Sequence, residues 1–265
     1  MTPDDVWAAG DLYEPFVGRW SRRVAPEFLA WLGVPQHKAW LDVGCGTGAL
    51  TQTILESSSP RSVRSIDASP GYVDHARARI GAGSVATFEV ADARSLPVEE
   101  ATVDAAVSAL VLNFVPEPAL AVNEMSRVLG AGGVAAAYVW DYSGRMELLR
   151  RFWDAAIALD PAARDLDEGI RFPICRPEAL AEVFSGSGLV DVQTRSIDVP
   201  TVFRDFEDYW SPFLGGQGPA PGYAMSLEEP RRVALRDRIR SSLPVEEDGT
   251  IRLVARAWAV RGRKP

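Results

Sequence analysis

The chain is predicted to be an α/β fold on a largely parallel sheet, and three observations predict it. From about residue 39 to 140, strand-like apolar runs alternate with stretches of helical periodicity. Within them Val103–Leu110 is almost continuously apolar, as a central strand covered on both faces must be. The first strand runs into Gly44-Cys45-Gly46-Thr47-Gly48, which places glycines at alternate positions before a helix. Glycines so spaced let the backbone turn sharply and let a ligand come closer than a Cβ would permit. Strand–glycine loop–helix units bind nucleotide-like cofactors at the carboxyl end of a parallel sheet.

Each element has its own signal. Ala39, Trp40, Leu41 and Val43 form the first strand, and Leu50, Ile54 and Leu55 share one face of the helix after the loop. A second strand ends at Ser65-Ile66-Asp67-Ala68-Ser69. Ser69-Pro70 then supplies a cap and a first-turn proline for a helix to Ile80, with Val73, Ala76 and Ile80 inward. Ala86, Phe88 and Val90 alternate with Thr87 and Glu89, the pattern of a half-buried strand that leads to Asp92. Pro118 opens a helix over 117–129 that Gly130 should close, and Val134–Trp140 is the next strand. A helix over about 144–160 and another from Arg176-Pro177 to Gly186 or Gly188 follow. Strands at 189–199 and 251–260 come last, about fifty residues apart, which is too long for a hairpin connection. That intervening block holds Phe203, Phe206, Tyr209, Trp210, Phe213 and Tyr223, a Gly/Pro-rich piece over 214–222, and an Arg-rich helix near 227–243. Long insertions of this kind are usually lids or binding loops, so 201–249 is read as an inserted substrate cap.

Asp42-x-Gly44-x-Gly46-x-Gly48 resembles the first motif of class I S-adenosylmethionine-dependent methyltransferases. The resemblance continues through Asp67 at the end of the second strand, Asp92 after the third, and Leu129-Gly130-Ala131-Gly132-Gly133 before the fifth. It implies a Rossmann-like, seven-stranded mixed sheet with the last strand antiparallel and helices on both faces. The core would be 39–200 plus 250–265. Residues 1–38 would form an N-terminal helical segment that closes over the cofactor, as in small-molecule methyltransferases of the ubiquinone/menaquinone type. The implied cofactor is S-adenosyl-L-methionine, held by Tyr13, Trp20, Arg22, Asp42, Gly44, Gly46, Gly48, Asp67, Ala68, Asp92 and Ala93. A carboxylate suits a ribose diol because it accepts from both hydroxyls. Arg22 has the planar shape for the methionine carboxylate, and Tyr13 or Trp20 can face the sulfonium. Asn113, Trp140, Tyr142, Tyr209 and Trp210 are the candidate acceptor-binding residues. No catalytic residue is assigned, since displacement from a sulfonium chiefly needs alignment.

Two alternatives stay open. Gly44-x-Gly46-x-x-Ala49, with Asp67 about 20 residues on, also satisfies the dinucleotide fingerprint of NAD-dependent oxidoreductases. A cofactor-binding relative of this fold with a non-methylating or regulatory role is the other. Composition narrows the partners. A net charge of −8 offers no basic footprint for nucleic acid. No apolar run approaches the ~18 residues of a membrane span. Cys45 and Cys175 lack metal or C-x-x-C spacing, and His37 and His75 are the only histidines, so no metal site is expected. The expected protein is a cytoplasmic monomer or homodimer acting on a small-molecule acceptor.

Overall fold

A computed structural model describes residues 18–215 and 218–265. In chain order its elements begin with α1 (Arg19–Leu32), β1 (Ala39–Val43), α2 (Ala49–Ser57), β2 (Ser62–Asp67), α3 (Pro70–Ile80) and β3 (Ala86–Val90). Next come β4 (Val103–Ala109), α4 (Pro118–Val128), β5 (Leu129–Trp140), α5 (Glu147–Leu159), α6 (Glu168–Arg171) and α7 (Pro177–Gly186). The chain ends with β6 (Val190–Phe203), α8 (Phe206–Trp210), α9 (Pro219–Ser226), α10 (Glu229–Ser242) and β7 (Ile251–Arg263). Short 3₁₀ turns occupy Pro161–Leu166 and Ser211–Gly215.

The strands form one seven-stranded sheet in the order β3-β2-β1-β4-β5-β7-β6. β1 pairs in parallel with β2 and with β4, β2 with β3, and β4 with β5. β7 runs the other way. Gly132 N–H donates to Lys264 O near the start of β5, while just beyond its end Asp141 N–H donates to Arg256 O. Sequence numbers therefore rise along β5 as they fall along β7, the antiparallel last strand. All five residues of β1 are buried, as its central place requires, and β3 at the edge is largely exposed. Ser69 accepts from Tyr72 N–H and Pro70 fills the first turn of α3, so both helix-start signals operate.

Two boundaries differ from expectation. α4 ends at Val128 rather than at a glycine stop, and β5 starts at once at Leu129. The glycine-rich stretch is taken into the strand through a register shift opposite Val103 and Ala105. β6 extends to Phe203, beyond the predicted Val199. Among the described residues no helix is long and apolar enough to cross a membrane.

The chain divides into two compact units. The sheet unit comprises 22–139, 174–197 and 257–265. Its core includes Trp40, Leu41, Ile54, Ile66, Val107 and Met125, and Phe28 of α1 meets Tyr138 edge-on at 4.9 Å. The second, aromatic unit is assembled from 18–21, 140–173 and 198–256, and so takes in more of the chain than 201–249. The reason lies in α5, whose Leu148, Leu149, Phe152 and Trp153 are all buried and need partners. Phe152 stacks on Phe213 at 4.7 Å, Trp153 tilts onto Tyr223 at 5.8 Å, and the Tyr209 hydroxyl donates to Leu148 O at 2.8 Å. Arg150 grips the buried Asp167 through both terminal nitrogens, at 2.9 and 2.7 Å. Glu168 accepts from Trp153 Nε1, and burial pushes its carboxyl up to about 7.

Candidate cofactor site

The carboxyl ends of β1, β2, β3 and β4 lie side by side, so the loops that follow them share one edge of the sheet. The glycine loop is folded back onto β2. Gly44 and Cys45 N–H both donate to Ile66 O, at 2.7 and 2.9 Å, and Gly48 N–H closes the turn onto Cys45 O at 2.8 Å. Gly44, Gly46 and Gly48 all have positive φ, of 75°, 51° and 83°, so the loop's path favours glycine throughout. Their surroundings differ. A Cβ on Gly44 would stand 2.5 Å from both methyls of Val111, and one on Gly48 would press on Ala76 and Ile80. A Cβ on Gly46 would meet nothing within 4 Å. Gly44 and Gly48 are therefore glycines for packing, and Gly46 presents bare backbone to open space.

Asp67 caps this arrangement. Its Oδ2 accepts from Gly46 N–H and its Oδ1 from Ser69 N–H, each at 2.9 Å. Each carboxylate oxygen keeps a second acceptor site. Asp67 O also accepts from Ala91 N–H at 3.1 Å, which ties the start of the β3 loop to the end of β2. Two residues into that loop Asp92 is exposed and held by Arg94 through Nε and Nη2, which keeps its carboxyl down at about 2. Ala68 is exposed and Ala93 half-buried beside these aspartates.

Asp42 lies beneath the loop rather than in it. Its side chain is fully buried; Oδ2 accepts from the Thr51 hydroxyl at 2.6 Å and Oδ1 has no partner. Thr51 spends its one proton on Asp42, so the 2.8 Å contact with Ser65 Oγ is a donation from Ser65. This buried chain fastens the first turn of α2 to β1 and β2. Loss of solvent, opposed by the Thr51 hydrogen bond, pushes the Asp42 carboxyl up to about 7. Burial, reinforced by Asp42 and Asp67, likewise pushes the Cys45 thiol up, leaving it protonated and inert.

Past β4, Leu110 has a φ of 59°, where a non-glycine residue is strained. It is held there by donation of its N–H to Tyr138 O at 2.8 Å. This bend seats Val111 against Gly44 and carries Asn113 into the same neighbourhood. Both polar atoms of the Asn113 amide are buried and unpaired. Such strain collects at functional sites. Nothing in a leucine codon marks it, and Leu110 and Val111 were invisible to sequence reasoning.

The predicted residues thus fall into two groups. Asp42, Gly44, Gly46, Gly48, Asp67, Ala68, Asp92, Ala93 and Asn113 lie in the sheet unit around the glycine loop, and Arg22 is exposed on α1. Trp20, Trp140, Tyr142, Tyr209 and Trp210 belong to the aromatic unit and are all buried there. Trp20 meets Phe203 edge-on at 5.5 Å, Tyr142 tilts towards Phe172 at 5.7 Å, and Trp210 lies flat against Phe206 at 6.4 Å. Tyr13 is outside the described residues. Among the described residues no group of histidine, cysteine, aspartate and glutamate could hold a metal ion.

Comparison with known proteins bears on this site directly. Residues 41–137, from β1 to the end region of β5, match the sequence model of the family described as "Methyltransferase domain". The 2-methyl-6-phytyl-1,4-hydroquinone methyltransferase of Synechocystis sp. (strain ATCC 27184 / PCC 6803 / Kazusa) is 28% identical over 188 residues, covering 70% of this chain and 57% of that protein. The match therefore spans little more than half that relative's length. Among solved structures, the YcgJ protein of Bacillus subtilis has the same fold, with a TM-score of 0.60 at 16% identity over 91% of this chain and 98% of that one. Haemonchus contortus phosphoethanolamine N-methyltransferase 2, in complex with phosphomonomethylethanolamine and S-adenosylhomocysteine, matches with a TM-score of 0.61 at 14% identity over 96% of this chain and 56% of that one.

Proposed function

We propose that this protein, whose residues 41–137 match the methyltransferase-domain model, moves a methyl group from S-adenosylmethionine to a small apolar or aromatic acceptor. One observation carries the choice of cofactor: the open face of Gly46 is flanked by the Asp67 carboxylate and backed by Asp42. The Asp67 carboxylate at that open face suits a ligand that brings hydroxyl donors and positive charge, while Asp42, buried and neutral when it holds its proton, supports the loop from behind. The dinucleotide reading is disfavoured by the match of residues 41–137 with the methyltransferase-domain model.

When bound, S-adenosylmethionine supplies a methyl carbon on a sulfonium, which departs as a neutral thioether. The chain's part is to hold and align. Asp67 has acceptor capacity left on both oxygens for a pair of ribose hydroxyls. Gly46 keeps a side chain out of the way, while the Asp42–Thr51–Ser65 chain fixes the loop's rear. Asn113, with an unpaired donor and acceptor, offers hydrogen bonds to the bound molecules. Asp92 and the backbone at Ala68 and Ala93 contribute the adenine side. Aligning the reactants in this way needs no general base when the acceptor arrives as a competent nucleophile.

Calorimetry with S-adenosylhomocysteine and with NAD separates the readings. The expected result is saturable binding of S-adenosylhomocysteine and none of NAD. The opposite preference would overturn the proposal. The relative's printed substrate makes quinol-type aromatics the first acceptors to assay for methyl transfer.

A further inference from the structure

Two aspartates stand at neighbouring strand ends of the sheet unit, and the structure leaves them in different states. Asp67 ends β2, paired in register with Val90 of β3, and Asp92 follows Val90 by two residues. Each Asp67 oxygen accepts one hydrogen bond, so each keeps an acceptor site free. Asp92 is full. Its Oδ1 accepts from the Arg94 backbone N–H at 2.8 Å and from Arg94 Nε at 3.0 Å. Its Oδ2 accepts from the same Nε at 3.1 Å and from Nη2 at 2.6 Å. A carboxylate has roughly four acceptor sites, and here Arg94 places a donor at each of them. The turn is closed by Ser95 N–H, which donates to Asp92 O at 3.0 Å. The side chains of Arg94 and Asp92 are 37% and 47% exposed, so a ligand can reach the pair.

On the cofactor reading proposed above, on which this step rests, Asp92 lies on the adenine side. A free carboxylate there would select a purine that carries a 6-amino group, because the amino group donates and the carboxylate accepts. With Arg94 in place, a neutral amino group would have to displace a charged, bidentate donor, and paired bonds of that kind are the stronger. The guanidinium is held above its ordinary pKa by the hydrogen bonds and charge of Asp92, and after these by the charge of Glu117 at the start of α4. It therefore stays cationic and stays drawn to its partner. We propose that Arg94 is a specificity-determining residue: by occupying Asp92 it removes the reading of the 6-amino group, so the site takes purine nucleosides with and without that group almost equally. Selection then falls to Asp67, whose open acceptor sites suit the sugar hydroxyls.

Calorimetry tests this by binding and not by turnover. The probes are S-adenosylhomocysteine and its analogue in which hydrogen replaces the 6-amino group, the ring nitrogens being unchanged. The wild type should bind the two within about threefold of each other. Arg94→Ala frees the Asp92 carboxylate, and S-adenosylhomocysteine should then bind at least about tenfold tighter than the analogue, as for a hydrogen bond to a charged group. Adding Asp92→Ala to Arg94→Ala should bring the ratio back to near one. A residue that merely braced the loop would change both affinities alike and leave their ratio where it was. Three results would overturn the role of Arg94 while the cofactor reading stands: a wild-type ratio beyond about threefold, a ratio unmoved by Arg94→Ala, or selectivity that survives the loss of Asp92. If neither probe binds the wild type, the cofactor reading itself falls and the role of Arg94 falls with it.

Discussion

Gly46 is the residue at which conformation and ligand access coincide, because its φ of 51° strains any side chain and its missing Cβ leaves open space. Gly46→Val should accordingly abolish S-adenosylhomocysteine binding and lower stability only through backbone strain, since the new Cβ meets no protein atom within 4 Å. Calorimetry beside a thermal melt checks this, and unchanged affinity in a folded variant would remove the loop from the site. The neighbouring glycines make the contrast: valine at Gly44 would collide with Val111 and should lower stability itself. Asp67 tests the other half of the site. Its carboxylate already orders Gly46 and Ser69 through their N–H groups, so Asp67→Ala removes both the ligand's acceptor and the loop's brace. Hydrogen bonds to a charged group contribute about 1.5–3 kcal/mol each, so affinity should fall at least tenfold. A loss smaller than twofold would reduce Asp67 to a turn residue. At this scale the sequence was legible where geometry is bought with a rare residue type, as at the glycines. It was silent where an ordinary residue such as Leu110 takes an unusual conformation.

The elements around the site are locked together by burial, and β1 shows the consequence for pH. Asp42 is raised from the ordinary 3.8 to about 7 because the core strips its solvent, so the folded protein holds a proton there that the unfolded chain has released. The sign follows from linkage: this stabilisation is fully present below the unfolded pKa and is lost as pH rises through the folded one. Between pH 3.8 and about 7 the contribution of Asp42 should therefore fall by at most about 1.4 kcal/mol per pH unit, then level off. Asp42→Asn keeps the shape and an acceptor for Thr51 while deleting the titration. In urea unfolding, the free energy of the wild type minus that of Asp42→Asn should decline across this window. Glu168, raised by its own burial to about 7, titrates equally in both proteins and cancels. A difference that stays flat with pH would show that Asp42 does not titrate there. Element starts such as Ser69-Pro70 were readable because capping is local chemistry. The junction of α4 with β5 was not, since Gly130 was read as a stop, whereas the register opposite Val103 and Ala105 draws it into the strand.

On the scale of the molecule, the chain passes between its two compact units at 21/22, 139/140, 173/174, 197/198 and 256/257, so neither unit is one continuous stretch. The seven-stranded mixed sheet with its antiparallel last strand was legible through the resemblance carried by Asp42–Gly48, Asp67 and Asp92, whereas the strand order is seen only in the fold. The extent of the aromatic unit was not legible, because it depends on which distant apolar faces meet. Read alone, 201–249 is an insertion with its own aromatics; folded, those aromatics are completed from elsewhere. Phe213 stacks on Phe152, Tyr209 donates to Leu148 O, and Trp20 meets Phe203, so several anchors of the block also lean on residues outside it. The separate peptide 201–249 should then have no stable fold, since Phe213, Tyr209, Leu235 and Ile239 would lose the surfaces that bury them. Joining residues 140–173 to it by a flexible linker restores α5 with Leu148, Phe152 and Trp153, and structure should return in part. Circular dichroism and amide dispersion in NMR spectra distinguish the two peptides. A cooperative unfolding transition in 201–249 by itself would make it an autonomous inserted module, and the aromatic core shared with α5 would then be incidental to its folding.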